Sequence, residues 1–509
     1  MKRLLSLLCA SALALSLTAC SRSGGTDNPN TPASSESQGE LFGSSESQPE
    51  ASPSSGENSP GGAPGGLPPA PPDGTPDGSP PAPPDGTPPS PPDGGPSGTG
   101  GGFGGSGTVN QGTAAHTIDA DHTDANDSYT SDGDDENALR VDGVSALLNK
   151  VTVNKTGGNS SNTEDGDFYG LNAAVLAANE ARLTMTDCTV RSDALNGNGV
   201  FCYGEGTKVT LENTSITTTG DHSGGIQTTG GGSTEAFNLN IQTSGSSSAA
   251  IRTDRGGGEV EVAGGTYVTG GLNSPAVYST ADIEVKDAVL TANASEALVV
   301  EGKNSIELEN CSVSGNMSDQ GSSAGINLHN VMLYQSMSGD AETGTSKLSI
   351  EGGSLTCIRG DQFFVTNTRA EIDLDGVALS NRDPDGRLLV VTGNDASRGW
   401  GTAGANGAQV TLEAEHQALE GDILVDSISQ LDLRLEDGSS LTGTITILDN
   451  AEGGTAVRNN AVVTIGTGCT WTLTGDCLVD SVDVEDGGNI EFNGHVIALT
   501  SGSTFNMAK

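Results

Sequence analysis

The stretch Val200-Phe201-Cys202-Tyr203-Gly204-Glu205-Gly206-Thr207-Lys208-Val209-Thr210-Leu211-Glu212-Asn213-Thr214-Ser215-Ile216 decides the fold. Val209, Leu211 and Ile216 are apolar at relative positions 0, 2 and 7. A spacing of two places both side chains on one face of a strand. Asn213 falls at position 4, where a residue tolerant of the left-handed conformation lets the chain bend into the next strand. Position 5, Thr214, is small, and the alternation then resumes with Ile216 pointing inward again.

The same signature returns in Leu183/Met185/Val190, Val260/Val262/Tyr267, Ile283/Val285/Leu290, Ile306/Leu308/Val313, Leu348/Ile350/Leu355 and Ile372/Leu374/Leu379. Position 4 in these units is Asp187, Gly264, Asp287, Asn310, Gly352 and Gly376; position 5 is Cys188, Gly265, Ala288, Cys311 and Gly353, with Val377 the larger exception. A further strand opens each unit, as in Val200-Phe201-Cys202-Tyr203. Its first residues Val175, Val200, Ile226, Ile251 and Val277 are separated by 25, 26, 25 and 26 residues. A fixed period of this length marks a solenoid. Three short strands per unit, with no helical period, predict an all-β chain: a right-handed parallel β-helix.

The register makes a prediction about the thiols. Cys188 and Cys311 share a ladder position about five coils apart, on the order of 24 Å at ~4.8 Å per coil, which is too far to bridge. They are expected to be reduced and inward-facing, like Cys202 and Cys357, while Cys469 and Cys477 flank a short β-like stretch and are able to pair. Later units, opening at Leu298, Val331, Phe363, Leu389 and Ile423, lengthen and imply loops around 315–345 and 393–408. The β-helix is expected over 108–462, with 463–509, which holds Trp471, as a β cap closing its open end.

Upstream the texture is different. Lys2 and Arg3, an apolar run from Leu4 to Leu17 and the small residues before Cys20 have the order of a secretory signal over residues 1–19. Leu17-Thr18-Ala19-Cys20 resembles the bacterial lipobox, which implies acylation of Cys20 and tethering to the outer face of a membrane. The apolar run is too short to span a bilayer comfortably. Residues 20–107 are rich in Ser, Gly, Pro, Asp and Glu, and Pro-Pro-Asp-Gly recurs at Pro71, Pro83 and Pro91. Such a segment buries too little apolar surface to offset its chain entropy and is expected to be a disordered, partly polyproline stalk.

The chain carries a formal net charge of −44, which excludes nucleic acid as a partner. No CxxC pair is present, so a zinc site is not expected. Gly102-Phe103-Gly104-Gly105-Ser106-Gly107 has the letters of a dinucleotide motif but no preceding strand. Gly321-Ser322-Ser323-Ala324-Gly325 has those of a nucleophile elbow without its strand–turn–helix context. Gly133-Asp134-Asp135 and Gly220-Asp221-His222 are isolated fragments of hydrolase motifs. No residue is therefore assigned a catalytic role.

Two constellations suit binding. The acidic run Asp119, Asp121, Asp124, Asp127, Asp132, Asp134 and Asp135 offers the oxygen density that Ca²⁺ requires, but it departs from the EF-hand pattern, which favours a solvated cap loop over a metal site. Ca²⁺ is the one cofactor considered. The second constellation lies on outward positions of the first strands, which stack into ladders: Phe201, Gln227, Arg252 and Tyr278, and beside them Tyr203, Thr229, Asp254, Thr280 and Glu301. Rings with amide, carboxylate and guanidinium groups suit sugars and uronates, and ordinary strand decoration is the alternative.

Coil length and the Asn/Gly bend resemble the pectin-lyase-like superfamily. Its lyases carry a calcium-binding carboxylate cluster beside a basic residue, and its hydrolases carry sets of short Asp- and His-containing motifs. Only the fragments above match either. Asp134-Asp-Glu-Asn-Ala-Leu-Arg-Val-Asp142, Gly224-Gly-Ile-Gln-Thr-Thr-Gly-Gly-Gly232, Asn381-Arg-Asp-Pro-Asp-Gly386 and Leu419-Glu-Gly-Asp-Ile-Leu-Val-Asp-Ser427 resemble a family of adhesin-like β-helix surface lipoproteins of anaerobic Gram-positive bacteria, which has no established activity. The resemblance implies fold and cell-surface location. The expected function is non-catalytic binding of extracellular polysaccharide or host-surface glycan by a monomer whose one membrane contact is its N-terminal lipid. The alternatives are a lyase or hydrolase acting on acidic glycans, and a purely structural surface protein.

Overall fold

The computed structural model describes residues 108–321, 326–336, 340–394, 400 and 402–506. The segments expected to be a signal peptide and a stalk, with Cys20, and the Gly102 and Gly321 motifs fall wholly or partly outside them.

The first strands pair in the register read from the sequence. Val175 lies opposite Val200, Val200 opposite Ile226, Ile226 opposite Ile251 and Ile251 opposite Val277, all in parallel. The lengthened units keep step, with Leu298, Val331, Phe363, Leu389 and Ile423 following on the same ladder. A 15-stranded parallel sheet collects these first strands from Thr117–Ile118 to Ile497–Leu499. Second strands and most third strands form a 22-stranded sheet, because in some coils the chain runs through the bend unbroken, as in Gly232–Thr243 and Gly258–Thr269. The last third strands, from Ala418–Glu420 to Asn489–Glu491, form a separate 4-stranded one. The chain is a right-handed parallel β-helix.

The bends are where expected. Asp187, Asn213, Gly264, Asp287, Asn310, Gly352 and Gly376 all have left-handed backbones, with φ between 47° and 71°. The inter-coil ladder continues through them: Asn213 N donates to Phe237 O at 2.9 Å and Asn310 N to Glu351 O at 2.8 Å. The residue after the bend turns inward against the neighbouring coil. Cys188, Thr214, Ala288 and Cys311 fill this place in other coils, but Gly353 is itself left-handed at φ 66° and a Cβ on it would stand 2.1 Å from Cys311 O, so here the coil admits almost nothing larger than hydrogen.

One apolar core runs along the axis from Ile118 to Ile497. All six cysteines among the described residues are buried and free, Cys469 and Cys477 included, so the pairing open to those two is not formed. At the third turn the interior is polar and self-satisfying. Ser223 N donates to Ser248 Oγ and Ser248 N to Ser274 Oγ, both at 2.9 Å, while each hydroxyl donates to a carbonyl of the coil below.

Two features depart from expectation. Parallel pairing does not stop at residue 462: Trp471 lies opposite Leu441 and Ile490, and Cys477 opposite Ile497. The alternating side chains of 463–499 supply further coils, and only the last residues fold back, through an antiparallel bridge between Ala498 and Thr504. The second departure is a helix, α1, at Thr163–Tyr169. Asn162 caps it by accepting from the backbone of Glu164 and Asp165, those two acidic side chains sit at the positive end of its dipole, and Gly170 ends it at φ 80°. Its 7 residues are too few to display a 3.6-residue period.

Candidate functional site

The first outward ladder of the first sheet forms in the expected order, and the second begins as expected. Phe201 lies opposite Gln227, Gln227 opposite Arg252 and Arg252 opposite Tyr278; Tyr203 pairs with Thr229, and Glu301 with Tyr334. Their exposure is not as expected. Phe201, Gln227, Asp254 and Glu301 are 0%, 1%, 4% and 2% exposed. The ladder is roofed by α1 at one end and by the loops of the lengthened coils further along.

Under α1 lies an ionic network. The Asp167 carboxylate accepts from Arg252 Nη1 at 3.3 Å and from Asn196 Nδ2 at 3.1 Å, and contacts His222 Nδ1 at 3.2 Å. Arg252 also meets Asp254 through Nε at 3.1 Å and Nη2 at 2.5 Å. Burial pushes the Asp254 carboxyl up to about 6, against the pull of Arg252. Burial also works against ionisation of Asp167, but Arg252 and His222 together hold its carboxyl below the usual range. Burial likewise disfavours the charged Arg252, yet Asp167 and Asp254 keep it firmly protonated.

Further along, Tyr278 Oη donates to Glu301 Oε2 at 2.5 Å and Tyr334 Oη to the same oxygen at 2.8 Å; Ser336 Oγ donates to Oε1. Trp400 packs on Tyr334 with ring centroids 4.5 Å apart. Burial, then Tyr334 and Glu301, holds the Tyr278 phenol far above its ordinary value. The next coils bring Arg387 against Asp361, with Nε to Oδ1 at 3.0 Å and Nη2 to Oδ2 at 2.8 Å. The groups left half-exposed at the near end are Tyr169 and Tyr203, edge to face at 5.7 Å, and Arg255, which lies 4.0 Å over the Phe168 ring and donates to Asp340 at 3.0 Å. Tyr203 leans over Gly230, where a Cβ would come within 3.0 Å of the ring.

Asp167, Arg255, Asp340, Tyr334 and Trp400 were absent from the sequence-derived site. Asn162-Thr163-Glu164-Asp165 followed by Gly170 is a readable helix start and stop, and was the available signal for Asp167. Asp340 and Trp400 come from irregular loops and carry no local pattern.

The acidic run is spread out. Asp119, Asp121, Asp127, Asp132 and Asp134 are exposed. Asp121 accepts from Ser145 N at 3.0 Å, Asp134 from Asn159 N at 2.7 Å and Asp135 from Ser161 N at 2.7 Å, while Asp124 accepts from Tyr129. Much of the donor set thus caps loops. Lys155, 1% exposed, donates to Ser131 Oγ and Gly133 O, so an ammonium sits under residues 132–136. Among the described residues, the set of His, Cys, Asp and Glu that brings three ligating atoms within reach of one ion is elsewhere: Asp375, Glu415 and His416.

Carboxylates gather instead on the outward face of the second sheet. Glu235, Glu261, Glu284 and Glu307 stack directly on one another, beside a groove of about 480 Å³ that Lys303 and Lys347 also line. The two sheets are therefore chemically distinct. One presents carboxylate columns to solvent, and the other carries rings and guanidinium groups under partial cover.

Residues 141–333 match the family model described as a right handed beta helix region. The chain is 23% identical to the BrkA autotransporter of Bordetella pertussis over 63% of its own length. It spans about a third of that relative, 33%. It is also similar to the crystal structure of a TibC-catalyzed hyper-glycosylated TibA fragment, at 12% identity and a TM-score of 0.28, over 75% of this chain and 98% of that one. Among the described residues, no helix is long and apolar enough to cross a membrane.

Proposed function

We propose that this chain is a cell-surface β-helix protein, tethered through acylated Cys20 and raised on its Pro/Gly stalk, that binds extracellular carbohydrate without cleaving it. The observation that carries the reading is the run of ring and ionic groups along one sheet, partly exposed at Tyr169, Tyr203, Arg255, Arg252, Tyr278 and Trp400 and backed by the buried Asp254, Glu301 and Tyr334. Rings offer faces for sugar C–H groups, and guanidinium and carboxylate groups suit hydroxyls and uronates. Similarity to an autotransporter agrees with a surface location. The carboxylates in this run are each engaged by a cation or a hydroxyl, which favours binding over acid–base chemistry.

The test is a polysaccharide panel read for both retention and product. Retention without reducing ends or unsaturated products, weakened about tenfold or more by Tyr203→Ala at unchanged melting temperature, is the expected result. Product formation by the unmodified chain, lost in Arg252→Met under conditions where circular dichroism shows that variant still folded, would establish a lyase or hydrolase instead. Retention of no glycan would leave a structural role.

A further inference from the structure

The contacts between α1 and the solenoid run in one direction. Gln227 Nε2 donates to Asp167 O, Thr229 Oγ1 to Phe168 O at 2.7 Å, Asn196 Nδ2 to Thr163 O at 3.2 Å and Asn198 Nδ2 to Gly166 O at 3.4 Å. Arg252 and Asn196 donate to the Asp167 carboxylate, and His222 contacts it. In each of these pairs involving an amide, hydroxyl or guanidinium, the solenoid holds the hydrogen and the helix the oxygen. The covered face is thus a preformed array of donors drawn from successive coils, centred on a guanidinium, and its present occupant is a carboxylate.

We infer that Asn196, His222 and Arg252 form a binding site for the carboxylate of an acidic sugar, that Asp167 is its built-in stand-in, and that a uronate-containing glycan binds by displacing α1. The inference rests on the carbohydrate-binding reading and names its substrate class and its gate. A uronate presents the same two oxygens as Asp167, and its ring hydroxyls accept from Gln227 and Thr229 as the helix carbonyls do. Asp254 is bound to the far side of Arg252 and does not occupy Nη1, which stays directed at the incoming carboxylate.

The cover is built to be removable. An isolated helix of 7 residues is unstable in water, so α1 persists only through these contacts. Glycines with left-handed backbones flank the segment, Gly157 and Gly158 at φ 96° and Gly170 at φ 80°, and supply rotation at both ends. A closed cover lowers apparent affinity by the fraction of molecules open. The carboxylate columns of the second sheet point away from this site. At 0.15 M salt, where the Debye length is about 8 Å, their repulsion of an anionic glycan is largely screened.

The test compares binding of polygalacturonate and neutral dextran to the full chain at 0.15 M NaCl, with hydrogen exchange of the 163–170 amides. Asp167→Ala empties the site, and Asn162→Ala/Phe168→Ala loosens α1 while leaving every donor in place. Glu261→Ala, exposed on the second sheet and away from α1, controls for loss of one negative charge. Both opening variants are expected to bind polygalacturonate about 10-fold or more tightly than the unmodified chain, with dextran and the control unchanged. Polygalacturonate is expected to speed exchange of the α1 amides in the unmodified chain. Faster α1 exchange in the variants without tighter polygalacturonate binding overturns the inference, as does slower exchange on binding. If another glycan binds and these variants leave its affinity unchanged, the gate is refuted while the carbohydrate reading stands. If nothing binds, both fall.

Discussion

Arg252 and Asp167 stand 85 residues apart in the chain, and their guanidinium and carboxylate meet at 3.3 Å, both largely withdrawn from solvent. Removing the cation leaves two buried carboxylates, Asp167 and Asp254, without their main counter-charge. Arg252→Met is expected to cost about 3–5 kcal/mol, read from urea unfolding. A loss below about 1 kcal/mol would mean that the network is wet and weak.

Asp254 gives the fold a specific pH response. Its carboxyl is pushed up to about 6 by burial from an ordinary 3.8, so the folded state holds this proton more tightly than the unfolded chain. Its contribution is therefore fully present below pH 3.8 and is lost as pH rises through about 6. Asp254→Asn removes this term, so the stability of the variant relative to the unmodified chain should rise between pH 4 and pH 7. A difference that is flat or falls across that window would contradict the assignment.

Two bend positions in neighbouring coils, Gly376 at the bend itself and Gly353 just after the preceding one, differ sharply in what they accept. Gly376 has φ 61° and open space around a Cβ, whereas Gly353 has φ 66° and would place a Cβ 2.1 Å from Cys311 O. Gly376→Asn should change stability by less than about 1 kcal/mol, since Asn tolerates this conformation. Gly353→Ala should cost about 2–4 kcal/mol, combining backbone strain with overpacking. Thermal melts of the two variants side by side decide it; equal losses would place the turn register wrongly.

The thiols should be inert in the folded chain. Burial raises the Cys202 and Cys477 thiols to about 11 and Cys357 to about 12, and it raises those of Cys188 and Cys311 as well. Peptide-level alkylation at pH 8 is expected to leave Cys188, Cys202, Cys311, Cys357, Cys469 and Cys477 unlabelled until denaturant is added, after which all six react. No Cys469–Cys477 disulfide is expected, and one found in the isolated protein would refute the buried, reduced assignment.

The coil register could be read from single letters because it depends on local geometry repeated many times. Val209, Leu211 and Ile216 point inward through strand alternation, and Asn213 bends the chain by adopting φ 47°. Every following coil repeats those demands, so an error in one unit would show against the next. The end of the solenoid was harder to place. Trp471 suggested a closing element, yet it fills an interior position between Leu441 and Ile490, because a wide aromatic is accommodated on the axis when its indole N–H reaches Gly443 O at 3.1 Å.

The candidate site divides along the same line. Which residues share a ladder (Phe201, Gln227, Arg252, Tyr278) followed from spacing alone. What covers them did not, because α1, Asp340 and Trp400 reach the sheet from non-repeating segments whose placement no period encodes.

Primary structure therefore specified the winding of this protein: the coil length, the inward residues and the left-handed bends are all short-range consequences of side-chain size and backbone sterics. Folding in three dimensions settled the fate of the outward face, turning an expected open binding strip into a roofed ionic network. Burial and charge pairing there depend on groups brought together across 85 residues, as with Asp167 and Arg252, and such encounters exist only once the chain has closed over its own sheet.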